Sequence, residues 1–468
     1  MGNQPPIRFP LLLDPQNRDE TTLKDAKLVN GYVEAKGQER SWVYKRPGLV
    51  VSAAIAAGAG GGVFNWLGDV YAVVGGTLYK NGVSVGVGLD TSNGVYTFSS
   101  DSAAVPQIWM QNGVYAYKYD PTNGLVQDAN LAATLAAIPD TMVKGNAFLD
   151  QSMYVLTKKG AAVYGSALND LSTWLATTVI LAQIEPGQGV FLAKQLSYVC
   201  AMKQYSVEIM YDAAAAGGLP GSQLALAQGL KVSVGCKSAG SVQIAEGSLF
   251  WIGQTEDGSV QVMLMDGMKA VPISTPAVER LLQDGDFTTV YSWTARISGH
   301  RFYGITLKNS NLTLVFDMTT RLWAQWTDPN GNYIPIVASA NSSAGVSLLQ
   351  HETNGKLYTL SVNAYADDGV IFPVDLYTPL WDGGNDKRKY AKKMNVIGDT
   401  APGSILYIRV SDDDYNTWTP YRKMDMGQKD HYLMNCGTFR RRAIHLHHYS
   451  NTPMRIEAIE YQVEMGTL

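Results

Sequence analysis

Residues capable of chemistry crowd together near the C-terminus. His445, His447 and His448 stand in the run Ala443-Ile444-His445-Leu446-His447-His448. If that run is a strand, side chains alternate and His445 and His447 share one face. Two imidazoles on a face can begin a transition-metal site, but such a site needs a third protein ligand, and spacing makes none evident. The expectation is an interfacial or exposed polar strand and no metal. Ser411-Asp412-Asp413-Asp414-Tyr415-Asn416-Thr417-Trp418 sets three carboxylates side by side. Oxygen ligands of this kind suit hard cations, yet the alternating Asp-x-Asp-x-Asp-Gly spacing of a calcium loop is missing, and a braced turn is expected. Two basic islands complete the set: Lys387, Arg388, Lys389, Lys392 and Lys393, then Arg440, Arg441 and Arg442. They suit an acidic neighbour or a phosphate, with a plain solvated face as the alternative, and these eight residues are the candidate assembly contacts.

Other chemistries are not signalled. There is no Gly-rich phosphate loop, no nucleophile elbow and no His-Glu-x-x-His, so neither catalytic residues nor a cofactor are expected. The balance of 37 Lys and Arg against 41 Asp and Glu gives a net charge of −4, which offers no footprint for tight binding of a DNA backbone. Cys200, Cys236 and Cys436 are too far apart for a zinc spacing and odd in number, as suits a chain matured in a reducing cytoplasm. The opening MGNQPPIRFPLLLDP lacks the pattern of a signal peptide, and Pro6 stands where a myristoylation motif wants Ser or Thr. No run of 18 apolar residues exists, so membrane insertion is not expected.

The elements that must carry these residues read as strands. With 46 Gly and 26 Tyr, the chain is punctuated into short segments that favour an all-β fold. The clearest unit is Ser248 to Pro272, where Leu249-Phe250-Trp251-Ile252 and the alternating Val260, Val262 and Leu264 flank Asp257-Gly258, a hairpin turn signal. Similar hairpins turn at Gly76, Asn112-Gly113, Gly160, Gln204, Asn309 and Asn354-Gly355. They recur about every 40–50 residues, the period of propeller blades, each of which buries its faces only against its neighbours. Two β-sandwiches are the alternative to a propeller of six or seven irregular blades. Two helices interrupt the pattern, one capped at Ser274 or Thr275 with Pro276 at its first turn, the other spanning 129–137. The Ala/Gly tract 53–62 reads as a loop or tight backbone passage, with a helix as the alternative for an Ala-rich run. Near Phe372 the texture changes, which divides the chain into an N-terminal arm with first strands (1–55), a β-propeller (56–370) and a C-terminal β domain (371–468) with strands at 405–410, 439–447 and 454–463. The arm, poor in apolar residues, is expected to gain order by docking elsewhere.

Several stretches, taken in order, resemble the tail hub or nozzle proteins of short-tailed bacteriophages, also called head-completion or packaged-DNA stabilisation proteins. They are Val29-Asn30, Arg46-Pro47-Gly48-Leu49, Tyr205-Ser206-Val207-Glu208-Ile209-Met210-Tyr211, Gly235-Cys236, Phe250-Trp251-Ile252-Gly253, Ile273 to Glu279, and the Arg-rich strand Phe439 to Ile444. The resemblance implies a non-catalytic virion protein, assembled in the bacterial cytoplasm. It implies a hexameric ring below the portal and adaptor that extends the DNA channel, retains the packaged DNA and carries needle or fibre proteins. Double-stranded DNA passes such a ring without specific binding, and an acidic chain suits a conduit past which DNA must slide. Two other readings stand beside it. Ser411 to Trp418 resembles the Asp-box turn of sialidases, with Tyr415 in place of the motif's Gly, which raises a propeller glycosidase. A monomeric binding propeller is the third.

Overall fold

The computed structural model describes residues 6–9, 11, 26–36, 40–138, 140–214 and 222–466. Six sheets of consecutive antiparallel strands follow one another along the chain, at 60–87, 97–127, 147–181, 189–232, 235–272 and 290–325. A seventh, at 336–361, is built from three consecutive strands and completed by Gly48–Ala54, whose Gly48 pairs with Ser361 and Leu49 with Leu360. The seven hairpins legible in the sequence are middle strands of these seven blades, among them Asp69–Val74 with Thr77–Lys80 and Ser347–His351 with Lys356–Ser361.

A meander of four strands leaves two apolar faces, and the ring arrangement covers both. Seven clusters of buried side chains lie between successive blades. Cys200, Met202, Leu249 and Trp251 join blades four and five. Phe250, Ile252, Tyr303 and Phe316 join five and six. Val63 and Ala72 meet Val337, Leu348 and Leu357 where blade one closes on blade seven. The expected all-β propeller is therefore present, with seven blades. Both helices are also present. Thr275 caps Pro276–Gln283 by accepting from Val278 N, and Asp128 caps Ala129–Ala136 by accepting from Leu131 N while also holding the indoles of Trp109 and Trp174. The Ala/Gly tract is the passage from the closing strand of blade seven into Gly60–Trp66 of blade one, strand at both ends.

The C-terminal part is a two-sheet sandwich with one core, in which Leu28, Val43, Met394, Leu406, Leu446 and Ile459 are all buried. One sheet has the order Gly31–Lys36, Arg40–Lys45, Arg455–Met465, Lys389–Gly398, Tyr432–Met434. The other runs Lys27–Val29, Val374–Tyr377, Ala443–His448, Ile405–Ser411, Arg422–Asp425. It continues into the propeller, because Val29 pairs in parallel with Gln325 at the outer strand of blade six. Strands within 1–55 thus serve both halves. Part of the expected arm also has a place: Ile7–Phe9 pairs with Arg455–Met465, and Phe9 and Leu11 enter the sandwich core. The remainder of the arm lies outside the described residues.

The expected Arg-rich strand is a correction. Thr438–Phe439 ends before Arg440, Arg440 and Arg441 form a bend, and Arg442 makes an isolated antiparallel bridge with Trp381 before Ala443–His448 begins. Three adjacent long cations in one strand would force two onto one face and one into the core side, and the bend frees each to find its own acid.

Candidate assembly surface of the C-terminal domain

The eight basic residues divide by where their strands aim them. Along Lys389–Gly398 the side chains alternate inward and outward, so Lys389 is buried and Lys392 exposed. The Lys389 ammonium donates to the carbonyls of Asn385 (2.8 Å), Lys387 (2.9 Å) and Arg440 (3.1 Å), which ties the two basic islands together from inside. Burial lowers its pKa. Arg442 is equally internal. Its guanidinium makes a two-pronged bond to Asp412 (2.7 and 2.8 Å), donates to Cys436 O (2.7 Å) and lies 4.2 Å from the Phe439 ring centre. Neither Lys389 nor Arg442 presents its charge to a partner.

The other six are on or near the surface. Arg440 pairs with Asp386 (2.9 Å), Arg441 with Asp414 (2.9 Å) and Lys392 with Glu464 (2.5 Å), all between exposed groups. Lys393 sits 4.2 Å over the Tyr432 ring. Lys387 and Arg388 are exposed and, among the described residues, enter no ion pair. Exposed pairs of this kind hold weakly and exchange readily for a partner's carboxylates. Lys387, Arg388, Lys392, Lys393, Arg440 and Arg441 are thus the six of the eight that remain available to a partner, the surviving basic face.

The three carboxylates of the 411–418 turn have three separate tasks. Asp412 serves Arg442 and Asp414 serves Arg441. Asp413 braces the turn, accepting from Ser411 Oγ (2.8 Å), Thr417 N (2.9 Å) and Thr417 Oγ1 (2.5 Å). Asp414 and Tyr415 take positive φ angles of 60° and 65°, the conformation for which the related motif uses Gly. Trp418 packs beneath, against Tyr377 and His445.

His445 and His447 share a face as expected, and the fold brings Asp375 to them from the neighbouring strand, a third member that sequence spacing did not reveal. Asp375 Oδ1 lies 2.7 Å from His445 Nε2 and 2.8 Å from His447 Nδ1. Such a set could ligate a metal, but its hydrogen bonding closes it. Arg409 Nε donates to His445 Nδ1 (2.8 Å), which leaves the proton of the neutral ring on Nε2, directed at Asp375. A cation on Nε2 would have to displace that bond beside a guanidinium. Burial alone would raise the Asp375 carboxyl, but bonds from His445 and His447 outweigh it and hold the pKa at about 2. Burial lowers His445. His448 faces the core, where Ser404 Oγ lies 3.0 Å from its Nε2 and burial pulls its pKa down to about 3.

A second buried network locks the sandwich to the propeller. Arg46 is fully buried and forms a two-pronged bond to Asp367 (2.9 and 2.5 Å). It also donates to Asn30 Oδ1 (2.9 Å) and Thr327 O (3.0 Å) and lies 3.7 Å over the Phe372 ring. Asn30, at φ 55°, receives Thr327 N on the same oxygen and donates to Pro373 O. Gly48 completes the fit: a Cβ there would stand 2.2 Å from Ala366 O. The stretches Val29-Asn30 and Arg46-Pro47-Gly48-Leu49 therefore form a single junction among the first strands, blade six, blade seven and the sandwich.

Comparison with known proteins gives one informative match. The family model Phage_stabilise, described as bacteriophage P22 Gp10, beta-propeller, matches residues 8–329. No curated protein matches. Among solved structures, the N-terminal domain of Nup159 is similar at 8% identity over 72% of this chain and 99% of that one, with a TM-score of 0.38. YCF48 bound to D1 peptide is similar at 12% identity over 68% of this chain and 97% of that one, with a TM-score of 0.38. BBS1N in complex with ARL6DN is similar at 10% identity over 68% of this chain and 98% of that one, with a TM-score of 0.39. Likenesses this distant carry no argument.

Proposed function

The chain belongs to the phage-stabilisation family of bacteriophage P22 Gp10, a family of phage structural propellers, and on that premise we propose that it is the tail nozzle subunit of a short-tailed phage. In this reading six copies form a ring below the portal and adaptor. The ring extends the DNA channel, keeps the packaged genome inside and anchors needle or fibre proteins. It works without catalysis, and it is assembled in the host cytoplasm before it becomes part of the virion. The observation that carries the reading is the family match over residues 8–329, which takes in the Asn30 and Arg46 junction and six blades. Two features support it. A net charge of −4 leaves DNA free to slide. The sheet that runs unbroken from blade six into the sandwich gives a stiff wall. The surviving basic face, Lys387, Arg388, Lys392, Lys393, Arg440 and Arg441, is the proposed contact with a neighbouring copy or the adaptor.

Particles assembled without this chain test the role. They are expected to package DNA and then lose it, with retention restored when the purified chain is added. Particles that hold their genome unaided would overturn the reading. Hydrolysis of sialosides by the purified chain would replace it with the glycosidase, and a chain that stays monomeric beside portal and adaptor would replace it with the binding propeller.

A further inference from the structure

The inner strands of the blades surround a central cavity of about 740 Å³, lined by polar and small side chains such as Asn93, Thr97, Asn146, Ser238 and Gln243. It adjoins a mouth of about 890 Å³ on one face of the ring, shaped by blades two to five. Asn93 and Lys144 line both spaces, so Lys144 stands where the mouth narrows into the channel. The chain around Lys144 is fixed: Gln111 Nε2 donates to the carbonyls of Val143 (3.0 Å) and Gly145 (2.7 Å), and Leu192 N donates to Lys144 O (3.1 Å). Its stem passes over Gly113, where a Cβ would lie 3.1 Å from Lys144 Cγ. Among the described residues nothing partners the ammonium, and burial with no opposing charge pulls its pKa down to about 8.

A charge held in a cavity without a counterion is costly, and a ligand that supplies the counterion recovers that cost. The mouth points to the ligand's character. Lys158 and Lys237 line it with Lys144, and among the described residues the Lys237 ammonium is engaged only with the Phe287 ring, 5.4 Å away. Among the described residues the one carboxylate there, Asp140, is consumed by the backbone N–H groups of Thr141, Lys159 and Gly160 at 2.7–2.8 Å. Val114 and Tyr115, both exposed, form an apolar lip with Leu135. Free phosphate or a duplex backbone would use the lysines but offer the lip no apolar partner.

We propose that the propeller mouth is a docking site for an extended protein segment from a partner, which places an acidic side chain on Lys144 and apolar neighbours on Val114, Tyr115 and Leu135. The site is separate from the basic face of the sandwich and does not depend on the ring reading.

A library of random twelve-residue peptides, selected on the full chain and on Lys144→Gln, tests the proposal. Selected sequences are expected to be enriched in Asp or Glu beside apolar residues. The best of them should lose about tenfold or more in affinity on Lys144→Gln, the scale of one charge-assisted hydrogen bond, and should shield Lys144 from acylation read by mass spectrometry. Absence of acidic bias, or equal binding to Lys144→Gln, overturns the proposal. Competition by inorganic phosphate or a short DNA duplex as strong as that by the unlabelled peptide also overturns it, in favour of a phosphate ligand. Lys144→Met controls for folding: it is expected to melt no lower than the parent chain, and a lower midpoint would make Lys144 a structural residue of the blade junction and overturn the site.

Discussion

In the propeller, strands pair with their neighbours in the chain; in the sandwich they pair across its whole length. Blades one to six each close within a single stretch. The sandwich matches Ile7 with Tyr461, Val43 with Ile456 and Lys27 with Tyr377. The stabilising chemistry differs in parallel. Blade junctions are mostly apolar, with Trp251 or Tyr303 at their centres and the buried pairs Lys203 with Glu208 and His300 with Asp317 each confined to one blade, whereas the sandwich adds to its apolar core pairs that join distant segments: Arg46 with Asp367, Arg442 with Asp412, and Asp375 with His445 and His447. Local meanders carry their own register. Strands that meet over hundreds of residues need directional contacts to fix it, at the cost of slow closure and sensitivity to charge.

Substitutions can break this contrast. The largest effects are expected where one partner of a buried network is removed. Arg46→Ala leaves the Asp367 carboxylate without its charge partner, holding only the Leu49 N–H, and should cost about 3–5 kcal/mol, with amide exchange rising in the sandwich and blade seven before the other blades. Trp251→Ala should cost a similar 3–5 kcal/mol through the void it opens, but with exchange rising in blades four and five and the sandwich unchanged. Denaturant unfolding with exchange mass spectrometry separates the two, and identical exchange maps would mean that the halves do not differ in this way.

Arg442→Ala should destabilise by about 1–3 kcal/mol, because Cys436 O loses its donor and the packing of the guanidinium on Phe439 is lost, while Asp412, open to water, bears little of the cost. Arg440→Ala and Arg441→Ala, which break exposed pairs, should each change stability by less than about 1 kcal/mol. Ring assembly should show the reverse order, with the surface pair variants impaired and any Arg442 defect following its lower melting point. Assembly undisturbed in the double variant Arg440→Ala with Arg441→Ala would leave those residues a solvated face.

Acid should act on the sandwich first. His448 has a folded pKa of about 3, below its unfolded value, so below about pH 6.5 the unfolded chain gains a proton that the folded chain refuses. Stability then falls by up to about 1.4 kcal/mol per pH unit on the way down to the folded pKa. Asp375 adds to the loss only lower, as pH drops from its ordinary range towards about 2. Calorimetry between pH 7 and 4.5 should show the sandwich transition moving down more than the propeller transition, and His448→Gln should flatten that slope. A propeller that moves as far would contradict the contrast.

The same contrast explains what could be read from the sequence. Hairpins such as those at Gly75-Gly76, Asn112-Gly113, Asp257-Gly258 and Asn354-Gly355 were legible because turn and apolar runs agree locally, and those at Gly160, Gln204 and Asn309 because the flanking strands keep the same period. The strand that closes blade seven was not, since nothing near Gly48 announces Ser361 as its partner. Asp375 escaped notice as the companion of His445 for the same reason, although a lone carboxylate in Val374-Asp375-Leu376-Tyr377 is an odd residue in an apolar run. Arg440 and Arg442 look alike in sequence. Only the bend that interrupts the strand, and Asp412 from a distant turn, send one outward and the other into the core.

A reconstruction of the phage tail at moderate resolution tests the nozzle assignment most directly. Six copies are expected below the adaptor, each a seven-bladed ring fused to a sandwich, with Lys387, Arg388, Arg440 and Arg441 at a contact between copies or with the adaptor. A tail without this ring, another copy number, or a ring whose contacts leave that face in solvent would contradict it.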